Sequence, residues 1–387
     1  MIFGLIIQPH DVLLFRDGKP FSAGTDIRAR SLFPPTPFTI QGAIRARILF
    51  SSGTSPADYA QGTTPAAQKL RNLIGTPQGS YGQLRLQGPF LARQENGRWV
   101  RYFPLPADVV CLKGAYTLLQ PLEDSRSRWQ SNLPDDLQMP WIRTTERPEE
   151  ARGWISEQEL GRYLREGAPG KVLEESEFVE REYRFGIAME RSQRTARESY
   201  LYLAEFLRLK ENAAFWVEVD GITPADLGGE RGFLQLGGEA RAAYYEVRES
   251  GLGSLLSPPN PLPDRFKVVL LTPAWFSGGW APQNGNWSLF FNGSVRLVSA
   301  IIPRYQAIGG AYVDDQRRRT AFQKPMRRFV PAGSVYFFER EGNASWAGKP
   351  FTETPSGEGD YGQIGFGICV IGEWNYATMH KQGGCYV

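Results

Sequence analysis

Arginine clusters carry the clearest chemical signal in this chain. Six basic residues occur between Arg16 and Arg47 against two acidic ones, and the segments 191–197 and 317–328 are basic without any acidic residue. A guanidinium presents a planar set of donors that fits phosphate oxygens, and nearby Phe and Tyr rings can stack on unpaired bases. One basic patch is typical of any solvated surface, but three such patches favour RNA. The predicted RNA-binding side chains are Arg28, Arg30, Arg45, Arg191, Arg194, Arg197, Arg241, Arg317, Arg318, Arg319, Lys324, Arg327 and Arg328.

A glycine-rich stretch at residues 361–374 is the second candidate. Gly362, Gly365, Gly367 and Gly372 interrupt an apolar run, although glycine weakens a strand unless the backbone needs a positive φ or a close approach. The spacing fits neither a dinucleotide fingerprint nor a P-loop, because Glu373 stands where a P-loop has its lysine. Two interpretations stay open: a bulged edge strand, or bare amides offered to phosphates or bases. We predict that Gly362, Gly365 and Gly367 contact RNA.

Groups that could perform acid–base catalysis are scarce. The chain has two histidines, His10 and His380, and lacks the serine-hydrolase, zinc-protease and paired-carboxylate motifs. We therefore predict a protein that is not an enzyme and uses neither metal nor cofactor. Two alternatives stay open. One is a metal-independent endoribonuclease with either histidine as general base, and the other is a β-rich sugar-binding module, suggested by ten tryptophans.

Composition limits the class of protein further. The 387 residues suffice for two domains, and the formal net charge of +3 excludes a histone-like polycation. Arginine outnumbers lysine by 35 to 9, a bias that a G+C-rich genome also produces. Three cysteines without a C-x-x-C pair argue against a zinc site and a disulfide scaffold, and they favour a reducing compartment. The apolar start lacks a basic region, so we expect a first strand rather than a signal peptide, and a cytoplasmic protein.

Periodicity predicts the elements that position these residues. Residues 2–8 predict a buried strand, and Ile40, Ile44 and Ile48 keep the period of a helix. Asn96 and Gly97 predict the turn of a hairpin between 84–93 and 98–103. Other predicted elements are a hairpin of 183–190 and 199–209 with the basic tip 191–197, a helix at 156–165 with Ser156 and Glu159 as a capping box, and a strand at 329–338.

The pattern repeats on both sides of a linker. Residues 249–264 are rich in Gly, Ser, Leu and Pro, which is typical of a domain boundary. Each side begins on a buried strand and ends on a strand led by glycine. We predict an α+β fold of two tandem ferredoxin-like (RRM-like) domains, at 1–250 with an insertion at about 114–170, and at 264–387.

Several motifs also resemble a known family. The segments 16–21, 34–45, 183–188, 194–202, 236–241 and 330–337 resemble, in the same order, the subunit-three family of the type III-B CRISPR (Cmr) effector complex. The stretch 362–372 resembles the glycine-rich loop of the wider RAMP superfamily. Several of these motifs also occur in the single-subunit counterpart of type III-A complexes, and residues 96–168 carry no resemblance.

The resemblance implies properties that the residues alone do not. It implies two tandem ferredoxin-like folds, no catalysis by this chain, and a position at one end of a crRNA-guided effector complex. The family holds the repeat-derived 5′ handle of the crRNA, and its partners are the large cyclase-bearing subunit and a backbone subunit.

Overall fold

The computed structural model describes residues 2–16, 28–77, 79–123, 133–134, 136–190, 195–313 and 321–377. The fold is mixed α/β and rich in strands. The α-helices are α1 (Pro37–Ser51), α2 (Pro56–Gln61), α3 (Pro65–Ile74), α4 (Glu157–Arg165) and α5 (Gly253–Leu256). The strands are β1 (Phe3–Pro9), β2 (Arg28–Ala29), β3 (Arg85–Glu95), β4 (Arg98–Pro104), β5 (Val109–Leu112), β6 (Ala115–Leu118), β7 (Gln120–Pro121), β8 (Pro140–Trp141), β9 (Glu149–Glu150), β10 (Trp154–Ser156), β11 (Val179–Glu190), β12 (Thr195–Leu209), β13 (Ala213–Asp220), β14 (Arg231–Gln235), β15 (Ala242–Glu249), β16 (Arg265–Leu270), β17 (Phe291–Ile301), β18 (Gln306–Val313), β19 (Ala321–Phe329), β20 (Val335–Trp346) and β21 (Cys369–Glu373).

The first large sheet is organised around β1. Its strand order is β10-β4-β3-β13-β1-β15-β14, and β1 pairs antiparallel with β13 and β15. Residues 3–7 are all buried, so the predicted first strand is confirmed. Helix α1 packs on this sheet through Ile40, Ile44 and Ile48, as the helical period predicted.

The second large sheet has the order β17-β20-β16-β21, and all of its pairings are antiparallel. Counted along the chain from β16, this is the order 2-3-1-4. The described residues that connect β16 to β17 and β20 to β21 contain no α-helix, and their helical elements are short 3₁₀ turns at Gln283–Gly285, Trp287–Leu289 and Gly362–Ile364. The β20–β21 connection contains most of the glycine-rich stretch.

The two large sheets share one apolar core. Ile6 and Phe90 of the first sheet belong to the same buried cluster as Val269, Val335 and Val370 of the second. Burial of apolar surface contributes about 25 cal/mol per Å², so a continuous core of this kind holds the two halves of the chain together.

Local signals in the sequence account for most element ends. Asn96 and Gly97 have φ values of 49° and 78° and form the predicted hairpin turn between β3 and β4. Ser156 Oγ accepts the Glu159 N–H at 3.2 Å, whereas Glu159 Oε2 accepts the Gly170 N–H, so half of the predicted capping box forms. The strand predicted at 329–338, entered through Pro331 and Gly333, is confirmed from Val335 onward as part of β20. Its predicted start is wrong, because Phe329 ends β19 and Gly333 (φ 86°) turns the chain between the two strands.

The segment 114–170 contributes to both halves of the molecule. Strand β10 extends the first sheet beside β4, and α4 packs against β21 of the second sheet. A Cβ built on Gly372 would lie 2.8 Å from Leu164 Cδ2, which explains a glycine there. No helix in the described ranges is both long and apolar enough to cross a membrane.

Candidate nucleic-acid interface

An open cleft of about 1040 Å³ runs along the exposed face of α1. Its other walls include the end of β14 and the turn that follows it (Gln235, Gly237 and Gly238), the β18–β19 hairpin, and the loop 357–359. Segments that are far apart in the sequence, including the motifs at 34–45 and 236–241, therefore meet at one surface.

On the face of α1 that borders this cleft, one position has no side chain. Gly42 is exposed, and a Cβ built on it would meet nothing within 4 Å. Glycine inside a helix costs about 1 kcal/mol relative to alanine, and the described protein does not fill the space that it leaves. Phe50, at the end of the same helix, is 62% exposed and also lines the cleft.

Arg45 lies in the cleft wall, where protein groups hold its guanidinium. Arg45 Nη2 donates to Tyr59 Oη at 2.6 Å and to the Thr76 carbonyl oxygen, and the guanidinium carbon lies 5.9 Å from the centre of the Tyr59 ring. The charge of Arg45 is thus placed at the cleft, but its orientation is set by the protein.

Arg241 follows the glycine pair in the turn after β14. Gly237 has a φ of 79°, and a Cβ there would lie 2.7 Å from the Leu14 carbonyl oxygen. Arg241 forms ion pairs with Glu239 at 2.8 Å and Asp11 at 3.4 Å. Two carboxylates therefore compete with any phosphate for this guanidinium.

Arg327 and Arg328 are adjacent on β19 and differ in their surroundings. Arg327 forms an ion pair with Glu358 at 2.7 Å and lies 5.5 Å from the Trp275 ring centre. Arg328 is exposed, with its guanidinium 4.8 Å from the Tyr305 ring centre. Arg328 can reach a phosphate without losing an ion pair of its own among the described residues.

The glycine-rich stretch is buried against protein. A Cβ built on Gly365 (φ 106°) would lie 2.3 Å from the Gly88 carbonyl oxygen, and one on Gly367 (φ 67°) would lie 2.7 Å from Phe351 and Thr352. A Cβ on Gly362 would meet Pro350 at 2.9 Å. The structure therefore gives a reason for these glycines that does not require RNA: Gly365 lets the second half of the chain approach the first, and Gly362 and Gly367 allow close packing within the second half.

Hydrogen bonds hold this stretch to both halves of the chain. Gln363 Nε2 donates to the carbonyl oxygens of Gly82 and Leu84 at 2.7 and 2.9 Å. Gly367 N–H donates to the Pro273 carbonyl oxygen at 2.8 Å. Contact of the three glycines with RNA stays a prediction.

The other predicted residues are placed as follows. Arg30 is exposed beside β2. The backbones of three more lie in β2, β12 and β19, with side chains outside the described part of the structure: Arg28, Arg197 and Lys324. Five lie outside the described residues altogether: Arg191, Arg194, Arg317, Arg318 and Arg319.

The structure describes one of the two histidines. His10 is exposed just after β1 and does not line the cleft, and His380 lies outside the described residues. Over the described ranges, no group of three or more His, Cys, Asp or Glu side chains is arranged to hold a metal ion.

Two buried polar residues of the cleft were missed by sequence reasoning. Gln41 and Tyr81 are each 5% exposed and line the cleft. Burial raises the pKa of Tyr81 to about 12, with further contributions from Glu358 and Asp360. Gly42, which interrupts the helical period of α1, was the one signal that could have drawn attention to this surface.

Comparisons with known proteins agree on one family. The model of the family described as CRISPR-associated protein (Cas_Cmr3) matches residues 5–374. The CRISPR system CMR subunit Cmr3 of Saccharolobus solfataricus is 25% identical over 252 residues, and the match covers 64% of this chain and 64% of that relative's length.

Solved structures give weaker similarities. A chain of the cryo-EM structure of the Type III-B Cmr-beta bound to cognate target RNA and AMPPnP is 17% identical, with 86% of both chains covered and a TM-score of 0.43. A chain of the crystal structure of the Csm3-Csm4 subcomplex in the type III-A CRISPR-Cas interference complex is 12% identical, with 96% of this chain and 99% of that chain covered and a TM-score of 0.39.

Proposed function

Because the chain belongs to the Cas_Cmr3 family of CRISPR-associated proteins, we propose that it is the crRNA-binding subunit three of a type III-B effector complex in the cytoplasm. In this proposal it holds the repeat-derived 5′ handle of the crRNA in the cleft along α1. It contacts the large cyclase-bearing subunit and a backbone subunit, and it performs no catalysis itself.

The observation that carries this proposal is the convergence of separate motifs on one cleft. Segments 34–45 and 236–241 line it, as do Gly309 and Gly310 of the β18–β19 hairpin. The two segments belong to the first half of the chain and the hairpin belongs to the second, so both halves contribute to the cleft. Their meeting at an open surface supports a shared ligand.

The chemistry of the cleft and its rim suits single-stranded RNA. Phe50 and Met326 expose 62% and 45% of their surface there, and unpaired bases stack on such apolar side chains. Exposed Arg30 and Arg328 lie two residues from Leu32 and Met326, which line the cleft. Bases on the apolar side chains and phosphates near the arginines fit this distribution of apolar surface and charge.

We also propose that the two large sheets derive from two ferredoxin-like units. The order 2-3-1-4 of the second sheet is the antiparallel order of a ferredoxin-like sheet, and short 3₁₀ turns stand where that fold has helices. In the first half, β1, α1, β3 and β13 follow a β-α-β course with added edge strands. The finer domain bounds, 1–250 and 264–387, belong to the same proposal.

A matched pair of phenylalanines tests the cleft. Phe50 lines it and Phe233 does not, yet both are more than half exposed, at 62% and 57%. Phe50→Ala should weaken binding of a guide RNA with its native 5′ handle about tenfold or more, because one stacked base contributes about 1–3 kcal/mol. Phe233→Ala should leave the affinity unchanged. Equal affinities of both variants and the wild type would refute RNA binding in the cleft.

A further inference from the structure

Two buried polar groups that line the cleft have no partner in the described part of the chain. They are the Nε2 amide of Gln41 and the hydroxyl of Tyr81. Most buried polar groups in folded proteins are hydrogen-bonded, and an unpaired one costs free energy. The presence of two such groups in the lining of one cleft indicates a ligand that forms hydrogen bonds with them.

A glycine lies beside each group, one facing open space and the other packed closely against the protein. Gly42 follows Gln41 directly and faces open space, and a Cβ built on Gly359 would lie 2.8 Å from the Tyr81 ring. Both polar groups show almost no surface in the free protein. Hydrogen bonds to a ligand can therefore form only if the ligand packs directly against the cleft wall or if the two side chains rotate slightly.

The chemistry of the two groups defines their ligand. The Gln41 amide nitrogen donates, and the Tyr81 hydroxyl is protonated at neutral pH like any tyrosine, with burial raising its pKa further, to about 12. Both donors are neutral, and the Arg45 guanidinium nearby is held by Tyr59 and Thr76. Both of these partners are neutral, so the charge of Arg45 can still attract a phosphate, whereas the two neutral donors match an uncharged group with acceptors on its edge.

We propose that this part of the cleft is a base-reading pocket. Gln41 and Tyr81 donate hydrogen bonds to the acceptor edge of one unpaired nucleobase of the bound RNA. Phe50 and Met326 supply exposed apolar surface elsewhere in the same cleft, where neighbouring bases can lie. This inference rests on the proposed function and goes beyond it, because it assigns recognition of a base rather than attachment of the backbone.

The test uses the full chain and two guide RNAs, one with its native 5′ handle and one with abasic sugars throughout that handle. The variants are Tyr81→Phe and Gln41→Met, which remove the unpaired polar group and keep the shape of the side chain. Each should bind the native guide about tenfold more weakly than the wild type does, which is about 1.4 kcal/mol. All three proteins should bind the abasic guide equally.

Thermal unfolding distinguishes recognition of a base by Gln41 and Tyr81 from a purely structural role of these residues. Because the two groups are unpaired in the free protein, Tyr81→Phe and Gln41→Met should keep or raise the melting temperature. Tyr59→Phe is the contrast: its hydroxyl donates to the Gly75 carbonyl oxygen at 2.7 Å, so the melting temperature should fall. A lower melting temperature for Tyr81→Phe with unchanged affinity would overturn the base-reading pocket.

The outcomes also separate this inference from the proposed function. Tight binding of both guides by all variants would overturn the base-reading pocket and leave RNA binding intact. No binding of either guide by the wild-type chain, alone or in the assembled complex, would overturn both.

Discussion

Lys267 and Asp108 form a buried ion pair between the two halves of the chain. Lys267 Nζ lies 3.0 Å from Asp108 Oδ2, and both side chains are 1% exposed. The Tyr163 hydroxyl donates to the same carboxylate, 2.7 Å from one oxygen and 2.8 Å from the other. Strand β16, helix α4 and the loop before β5 thus meet at one charge pair, and the pair fixes how they dock.

Removing one charge of this pair should be strongly destabilising. Asp108→Asn keeps the shape of the side chain and leaves the Lys267 ammonium buried without its counter-charge. Burial already lowers the pKa of Lys267, an effect that Asp108 opposes. We expect the free energy of unfolding to fall by about 3–5 kcal/mol, measured by urea unfolding followed by tryptophan fluorescence.

An exposed pair provides the control for this prediction. Glu146 lies 2.9 Å from Lys113, and these side chains are 52% and 71% exposed. Glu146→Gln should change stability by less than about 1 kcal/mol, because solvent screens exposed charges. Equal losses in Asp108→Asn and Glu146→Gln would mean that the buried pair does not hold the halves together.

Substitution of two glycines by alanine should change the stability of the protein in opposite directions. Gly365→Ala puts a Cβ 2.3 Å from the Gly88 carbonyl oxygen at a φ of 106°, so we expect a loss of more than about 2 kcal/mol of stability. Gly42→Ala fills open space on a helix and should add about 0.5–1 kcal/mol. Melting temperatures of the two variants give the comparison, and a stable Gly365→Ala would contradict the close approach.

Substitutions of two neighbouring arginines should distinguish a contact with phosphate from a structural ion pair. Arg328 is exposed, so Arg328→Ala should reduce the slope of log affinity against log salt concentration by about 0.7, the value for one phosphate contact on single-stranded RNA. Arg327 is held by Glu358, so Arg327→Ala should mainly lower the melting temperature. An unchanged slope in Arg328→Ala would show that this guanidinium does not contact RNA.

RNA should remain uncut by this chain. The prediction comes from two isolated histidines, of which His10 is exposed and away from the cleft. A labelled precursor of the guide should stay intact after incubation with the protein, with or without divalent metal. Site-specific cleavage that disappears in His10→Ala or His380→Ala would instead support the endoribonuclease alternative.

Local sequence patterns predicted the secondary-structure elements more accurately than they predicted the contacts between those elements. The periods of β1 and α1 and the Asn96–Gly97 turn depend on neighbouring residues, and these predictions are confirmed. The pairing of Arg327 with Glu358 and the approach of Gly365 to Gly88 depend on which distant segments meet. Charge and glycine content alone could not separate protein contacts of this kind from RNA contacts.

Photo-crosslinking of the guide RNA to the chain tests the central claim most directly. The guide carries 4-thiouridine in its repeat-derived 5′ handle, and the crosslinked peptides are identified by mass spectrometry after digestion. We predict crosslinks to residues of the cleft, in the segments 36–50, 79–81 and 235–238. Crosslinks confined to surfaces away from the cleft, such as β17 (Phe291–Ile301), would contradict the account.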